Sequence, residues 1–134
     1  MSLKVTNEGE KILLDWLLKD NGTNTVLHLY KNDFTPADNS GVGDFTESTF
    51  GGYSASTLTR SNWNQADTNA AGKAEIQYSN DIQWTATSEE TVHGYFVVDD
   101  FGDLLFAEKF SQSRALVAGD SLTISPRFTL RSEA

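Results

Sequence analysis

Few residues in this chain have types and spacings that could do chemistry. Among 134 residues there are two histidines, His28 and His93, and no cysteine. Both histidines fall in apolar-alternating stretches, LHLY and VHGYFVV, where an imidazole usually sits on a sheet and makes a local hydrogen bond. Neither belongs to an HExxH-like metal spacing. No GxSxG, P-loop or GxGxxG element occurs, so serine-nucleophile and nucleotide chemistry have no motif to rest on. Without cysteine there is no disulfide framework, no thiolate nucleophile and no Cys-based zinc site.

The densest carboxylates are Asp99, Asp100 and Asp103, with Glu108 downstream. Several oxygen ligands suit calcium, but the spacing matches no EF-hand loop. Asp-Gly turns also recur for a simpler reason: Asp bonds its own backbone and Gly supplies positive φ. The turn is the reading adopted, with calcium as its alternative. Paired carboxylates for glycoside hydrolysis, here or at Asp44 and Glu47, need a set separation across a bond, whereas carboxylates at loop tips usually stay solvated. The chain is therefore expected to be no enzyme and to need neither cofactor nor metal.

Charge narrows the partners. Nineteen acidic against 10 basic residues give a net charge of −9 and a pI near 4.5, with no basic run. That composition argues against nucleic acid, whose phosphates need clustered Lys and Arg, and against an anionic membrane surface. No window reaches the ~18 apolar residues of a membrane span, and the N-terminus has no apolar signal core. A soluble chain made without a cleaved export signal is expected. Asn21-Gly22-Thr23 matches a glycosylation sequon but reads more simply as the turn ending a helix.

The aromatics suit a core: Trp16, Trp63, Trp84, four tyrosines and eight phenylalanines. Phe34, Phe45 and Phe50 differ in lying in or beside a long Gly/Asp/Thr loop after Leu27–Tyr30. Loops of about fifteen residues are unusual in compact domains and tend to be functional. These phenylalanines either pin the loop onto its sheet or help form a protein or carbohydrate contact.

The elements that position these residues follow from periodicity. From Thr6 to Lys19, Ile12, Leu13, Trp16 and Leu17 recur at spacings of three and four, predicting a short helix. Thr6 or Asn7 caps it, Glu8 and Glu10 suit its dipole, and Asn21-Gly22 stops it. The Ile12/Leu13/Trp16/Leu17 stripe must dock on the chain's own sheet or on a neighbour. Period-two alternation then runs to the C-terminus. It predicts strands at Leu27–Tyr30, Ser56–Arg60, Ala74–Tyr78, Ile82–Ala86, His93–Val98 and Leu104–Phe110, with a polar loop at Asn64–Gly72. In the last strand Leu122, Ile124, Pro126, Phe128 and Leu130 share one face, with Ser121 to Arg131 alternating on the other. Pro126 there marks a sheet edge or a bulge. The expected fold is mainly β: an antiparallel β-sandwich of about seven to eight strands with one short N-terminal α-helix. Residues 1–22 form the helix and arm, and 23–134 the β-sandwich, within one domain overall.

Four stretches, LHLYKNDFTPAD, GDFTESTFGGYSASTLTRSNW, TVHGYFVVDDFGDLLFAEKF and GDSLTISPRFTL, resemble small virion structural proteins of tailed bacteriophages, and among these the head decoration or cement proteins. The resemblance covers about Leu27 to Leu130 and carries no site motif. It implies a capsid decoration protein that binds the outer head surface of a virion assembled in the host cytoplasm. Its partners would be the major capsid protein and sister copies in a homo-oligomer, a trimer or dimer, with no nucleic acid and no membrane. The candidate contact residues are Ile12, Leu13, Trp16 and Leu17 within Ser2–Lys19, and Phe34, Phe45 and Phe50 within Asp33–Gly52. The alternative is a tail-fibre or spike module that binds host carbohydrate by stacking on Trp63 or Tyr53.

Overall fold

The computed structural model describes residues 3–130. Ser2 of the expected docking segment and Arg131 of the last strand lie outside them. The fold is mainly β, with one N-terminal helix and antiparallel sheets throughout, as expected. Backbone contacts group the chain into two compact units: residues up to Asn24 with Thr59–Asp81 and from Ser125 on, and Thr25–Leu58 with Ile82–Ile124. The helix thus shares its unit with strands, where a boundary after residue 22 was expected.

In the first unit, helix α1 spans Asn7–Asp15 and continues as a π-helical turn, Trp16–Asp20. Thr6 caps it, its Oγ1 accepting from the Gly9 N–H at 3.1 Å. At the other end the Asn21 side-chain amide donates to the Leu17 carbonyl at 3.0 Å, and Gly22 follows at φ 89°. The helix sits on β4 (Ala74–Gln77), which pairs with β3 (Asp67–Thr68) and β9 (Arg127–Leu130). The stripe left to dock on the chain's own sheet or on a neighbour is not the face turned inward. Leu14 and Leu18 are 1 % and 0 % exposed, Glu10 is buried beside them, and Ile12, Leu13 and Trp16 stand 68 %, 48 % and 60 % exposed. Leu17 is half-buried. The reason is legible in ILLDWLL: apolar residues lie nearly all round the helix, so periodicity selects no unique face. Polar clasps select it instead. Asp15 accepts from the Ala66 N–H at 2.8 Å, and the Lys19 ammonium donates to the Trp63 carbonyl at 2.7 Å. Trp63 itself packs on Tyr78 and Phe128, at ring separations of 5.0 and 5.6 Å.

In the second unit a four-stranded sheet runs in the order β2 (Ser56–Leu58), β1 (Thr25–Tyr30), β6 (Glu90–Val98), β7 (Leu104–Leu116), while β5 (Ile82–Thr85) pairs with β8 (Ser121–Ile124). The β6–β7 hairpin turns at Asp99–Asp103. There the Asp99 carboxylate accepts the N–H groups of Phe101 and Asp103, both at 2.9 Å, and Gly102 takes φ 85°. Strand β7 runs past its expected end at Phe110, through the polar stretch SQSRAL where alternation gives no signal. It bulges there, Phe110–Ser113 standing against His93 alone. The last predicted strand is two. Its chain breaks at Ser125–Pro126, so β8 pairs with β5 and β9 with β4, and the Pro126 carbonyl accepts from the Tyr78 N–H at 2.9 Å. That break and the two-residue β3 inside the expected Asn64–Gly72 loop bring the described strands to nine.

Gly94 tests the packing of the larger sheet. A Cβ there would lie 2.2 Å from the Glu108 carbonyl oxygen and 2.5 Å from the Tyr30 hydroxyl. Gly94→Ala is expected to cost about 2–3 kcal/mol, read as a lower urea midpoint. Gly41→Ala, where nothing lies within 4 Å, is the near-neutral control.

Candidate functional site

Two surfaces carry the residues that the sequence singles out: the long loop after β1 and the outer face of α1. The loop is closed at its foot. The Lys31 N–H donates to the Thr46 carbonyl at 2.8 Å, the Ser48 N–H to the Leu29 carbonyl at 2.9 Å, and Tyr30 bridges to Glu47. Asn32 staples it from within, donating to the Asp44 carbonyl at 2.9 Å and accepting from the Thr46 N–H at 2.8 Å. This is an Ω-loop, a compact surface loop filled by its own side chains.

The filling is aromatic. Phe45 stacks on Phe96 at 4.6 Å and meets Phe34 edge-on at 5.2 Å, while the Tyr30 hydroxyl donates to the Phe34 carbonyl at 2.9 Å. Phe45 and Phe50 are 9 % and 4 % exposed, and Phe34 is half-buried. Of the two readings of these phenylalanines, the burial of Phe45 and Phe50 matches pinning of the loop onto its own chain. Strand residues Tyr30, Phe96 and Val98 form an apolar cluster with Phe45, and Phe34 packs against it, while the Phe50 ring lies 5.5 Å from that of Tyr53.

The titratable residues at the loop's foot act as clasps. Glu47 Oε2 lies 2.6 Å from His28 Nδ1 and accepts from the Tyr53 hydroxyl at 2.7 Å, while the Tyr53 oxygen accepts from the Leu29 N–H at 3.2 Å. The His28 ring stacks on Phe96 at 4.8 Å. Burial pushes the Glu47 carboxyl up, but the hydrogen bonds from His28 and Tyr53 outweigh it and hold its pKa below the ordinary value. Burial, then the bond to Glu47, raises Tyr53. Tyr30 is pushed up to about 12 by burial first and then by Asp33 and Glu108. On the other side of the foot Lys109 hydrogen-bonds Asp33 and holds its carboxyl below the usual range, with His93 Nδ1 at 3.9 Å. His28 with Glu47, and Lys109 with Asp33, are thus ties between loop and sheet. Among the described residues no group of three or more His, Asp or Glu is placed to hold a metal ion. At the acidic turn, Asp99 spends its carboxylate on backbone amides.

No protein-family model matches the chain, and no curated protein does. No described helix is long and apolar enough to cross a membrane.

Seven large apolar side chains stay exposed among the described residues, Leu3, Val42 and Val117 among them. Ile12, Leu13 and Trp16 face solvent on α1, and Phe101 stands 84 % exposed at the β6–β7 turn. Trp63, one of the two proposed stacking platforms, is 2 % exposed. Tyr53, the other, is half-buried and tied to Glu47. Sequence reasoning missed Asn32, although an Asx residue just past a strand end is a turn signal. It also passed over Phe101, which lies within the Asp99–Asp103 turn.

Two predictions follow from the clasps. Asn32→Ala removes two hydrogen bonds and should cost about 1–2 kcal/mol, with faster amide exchange at Thr46 and the sheet intact. Because the folded Glu47 pKa lies below its ordinary 4.5, the stability it contributes is full above that value and is lost as pH falls through the folded pKa. Glu47→Gln should therefore flatten the acid side of the stability–pH curve, measured by urea unfolding between pH 6 and about 3.

Proposed function

We propose that this chain is a non-enzymatic structural protein of a tailed-bacteriophage virion, a decoration protein that binds the outer head surface and stabilises contacts between major capsid protein subunits. The observation that carries the reading is the solvent-facing row Ile12, Leu13 and Trp16 on a helix clamped through Asp15 and Lys19. A stiff module with an uncovered apolar face suits a protein whose work is to bury area against other protein subunits. Each copy that binds the assembled shell and not its separated parts shifts the balance toward the shell by mass action. The resemblance of the strand and turn stretches to head decoration proteins supports the same assignment. The alternative of carbohydrate stacking loses Trp63, which lies inside the first unit.

The test is co-sedimentation with purified phage heads lacking the protein. Binding in fixed ratio to the capsid subunits and a higher head disruption temperature are expected. Replacing the exposed Ile12, Leu13 and Trp16 by serine, with Leu14 and Leu18 left in the core, should weaken binding by about tenfold or more. Failure to sediment with heads, together with selective binding on a glycan array, would reverse the assignment.

A further inference from the structure

We infer that the outer edge of β7 is a docking slot for a short extended segment of another protein, which adds a strand to the four-stranded sheet. The inference concerns the second unit and goes beyond the reading above, since it holds whether or not that protein belongs to a phage head. β7 is the last strand in the order β2, β1, β6, β7. Which of its backbone groups face outward follows from the hydrogen bonds around Tyr30. The Lys31 N–H donates to the Thr46 carbonyl and the Ser48 N–H to the Leu29 carbonyl, on the two sides of the Tyr30–Glu47 bridge. The N–H and C=O of Tyr30 itself therefore turn the other way, to Gly94 on β6. Gly94 turns its own groups to β1, so Lys109 opposite it directs its N–H and C=O out of the sheet. Ala107, opposite Phe96, does the same. Among the described residues neither a strand nor the loop backbone pairs with these groups.

Strand edges are usually blunted by charge, proline, bulges or a covering element. Here two irregularities, at Leu105 and at residues 110–113, leave a regular run only over residues 106–109. They limit the occupant to a few residues and disfavour a long strand such as β7 of a second copy. The Ω-loop approaches the edge without closing it. Pro36, Asp38 and Ser40 face residues 104–107 across a cleft of about 390 Å³, a size usual for a ligand site. Pro36 has no N–H to offer the edge. Ser40 is turned to Ala37, its hydroxyl accepting the Ala37 N–H at 2.8 Å and its own N–H donating to the Ala37 carbonyl at 3.0 Å. The loop is thus a wall of the slot and leaves the ladder open. Pro36 and the two leucines make that slot apolar, and the charge lining it is that of exposed Asp38, with exposed Asp100 and Asp103 in the turn just before Leu104. The occupant that matches is an extended segment with apolar residues at alternate positions and Lys or Arg at its ends.

The probe is the peptide acetyl-Lys-Val-Thr-Val-Thr-Val-Lys-amide, titrated into the isotope-labelled full chain, with amide resonances and amide exchange read on the same samples. In the unbound chain the Ala107 and Lys109 amides should exchange faster than that of Glu108, whose N–H points into the β6 ladder. Saturating peptide should slow the first two by about tenfold or more and move the resonances of residues 104–109 and 37–40, while those of α1 stay. The same peptide ended in Glu should bind about threefold more weakly or worse, and Asp38→Lys should remove that preference. Ala107→Pro takes away an outward donor and no ladder bond, and should abolish binding. A peptide N-methylated throughout makes the same test without altering the protein. Absence of binding at millimolar peptide overturns the inference. So does binding that survives N-methylation, or that shifts only resonances away from the edge. Protection of Ala107 and Lys109 that grows with protein concentration, peptide absent, would give the slot to a second copy and overturn its assignment to a partner segment.

Discussion

The seating of α1 is the constraint from which the surface properties of the first unit follow. Leu14 and Leu18 enter the core, while Asp15 and Lys19, four residues apart like the two leucines, hold backbone groups of Ala66 and Trp63. Two apolar anchors and two polar clasps fix both depth and rotation, because a rotated helix would leave buried backbone groups without partners. Once the rotation is set, Ile12, Leu13 and Trp16 have no place inside. Their exposure follows from the clasps and would otherwise be an oddity in a small acidic protein.

The second unit solves a different problem. Its four-stranded sheet has an apolar face at Tyr30, Phe96 and Val98, and the chain covers it with a loop in place of another strand. A loop lacks a ladder, so its backbone must be satisfied one group at a time. Asn32 supplies two of those bonds and Tyr30 a third. His28 with Glu47, and Lys109 with Asp33, tie down the loop's foot.

Much of this was legible in the sequence where the cause is local. The Thr6 cap, the Asn21-Gly22 stop, the Asp99–Gly102 turn and most strands are set by residues within a few positions of one another, and the structure places them as read. What was not legible shares a physical form. The inward face of α1 depends on partners 51 and 44 residues away from Asp15 and Lys19, invisible to a helical wheel that is apolar nearly all round. The burial of Phe45 depends on the sheet face it packs on, at Tyr30, Phe96 and Val98, not on its Gly-rich surroundings. The far half of β7 is a polar edge strand, paired on one side and bulged, so burial left no alternation to read. Pro126 did announce an irregularity; what it could not announce was that the strands on its two sides pair with different sheets.

On the proposed reading, the row Ile12, Leu13 and Trp16, held at a fixed rotation by Asp15 and Lys19, is the surface that meets other protein subunits. The most direct measurement of that account is oxidative footprinting of the three tryptophans, in dilute free protein and after assembly on heads. The account predicts that Trp16 is modified readily in the dilute chain while Trp63 and Trp84 are spared, and that Trp16 becomes protected on assembly. Protection of Trp16 in the dilute monomer, or full labelling of it on the assembled head, would contradict it.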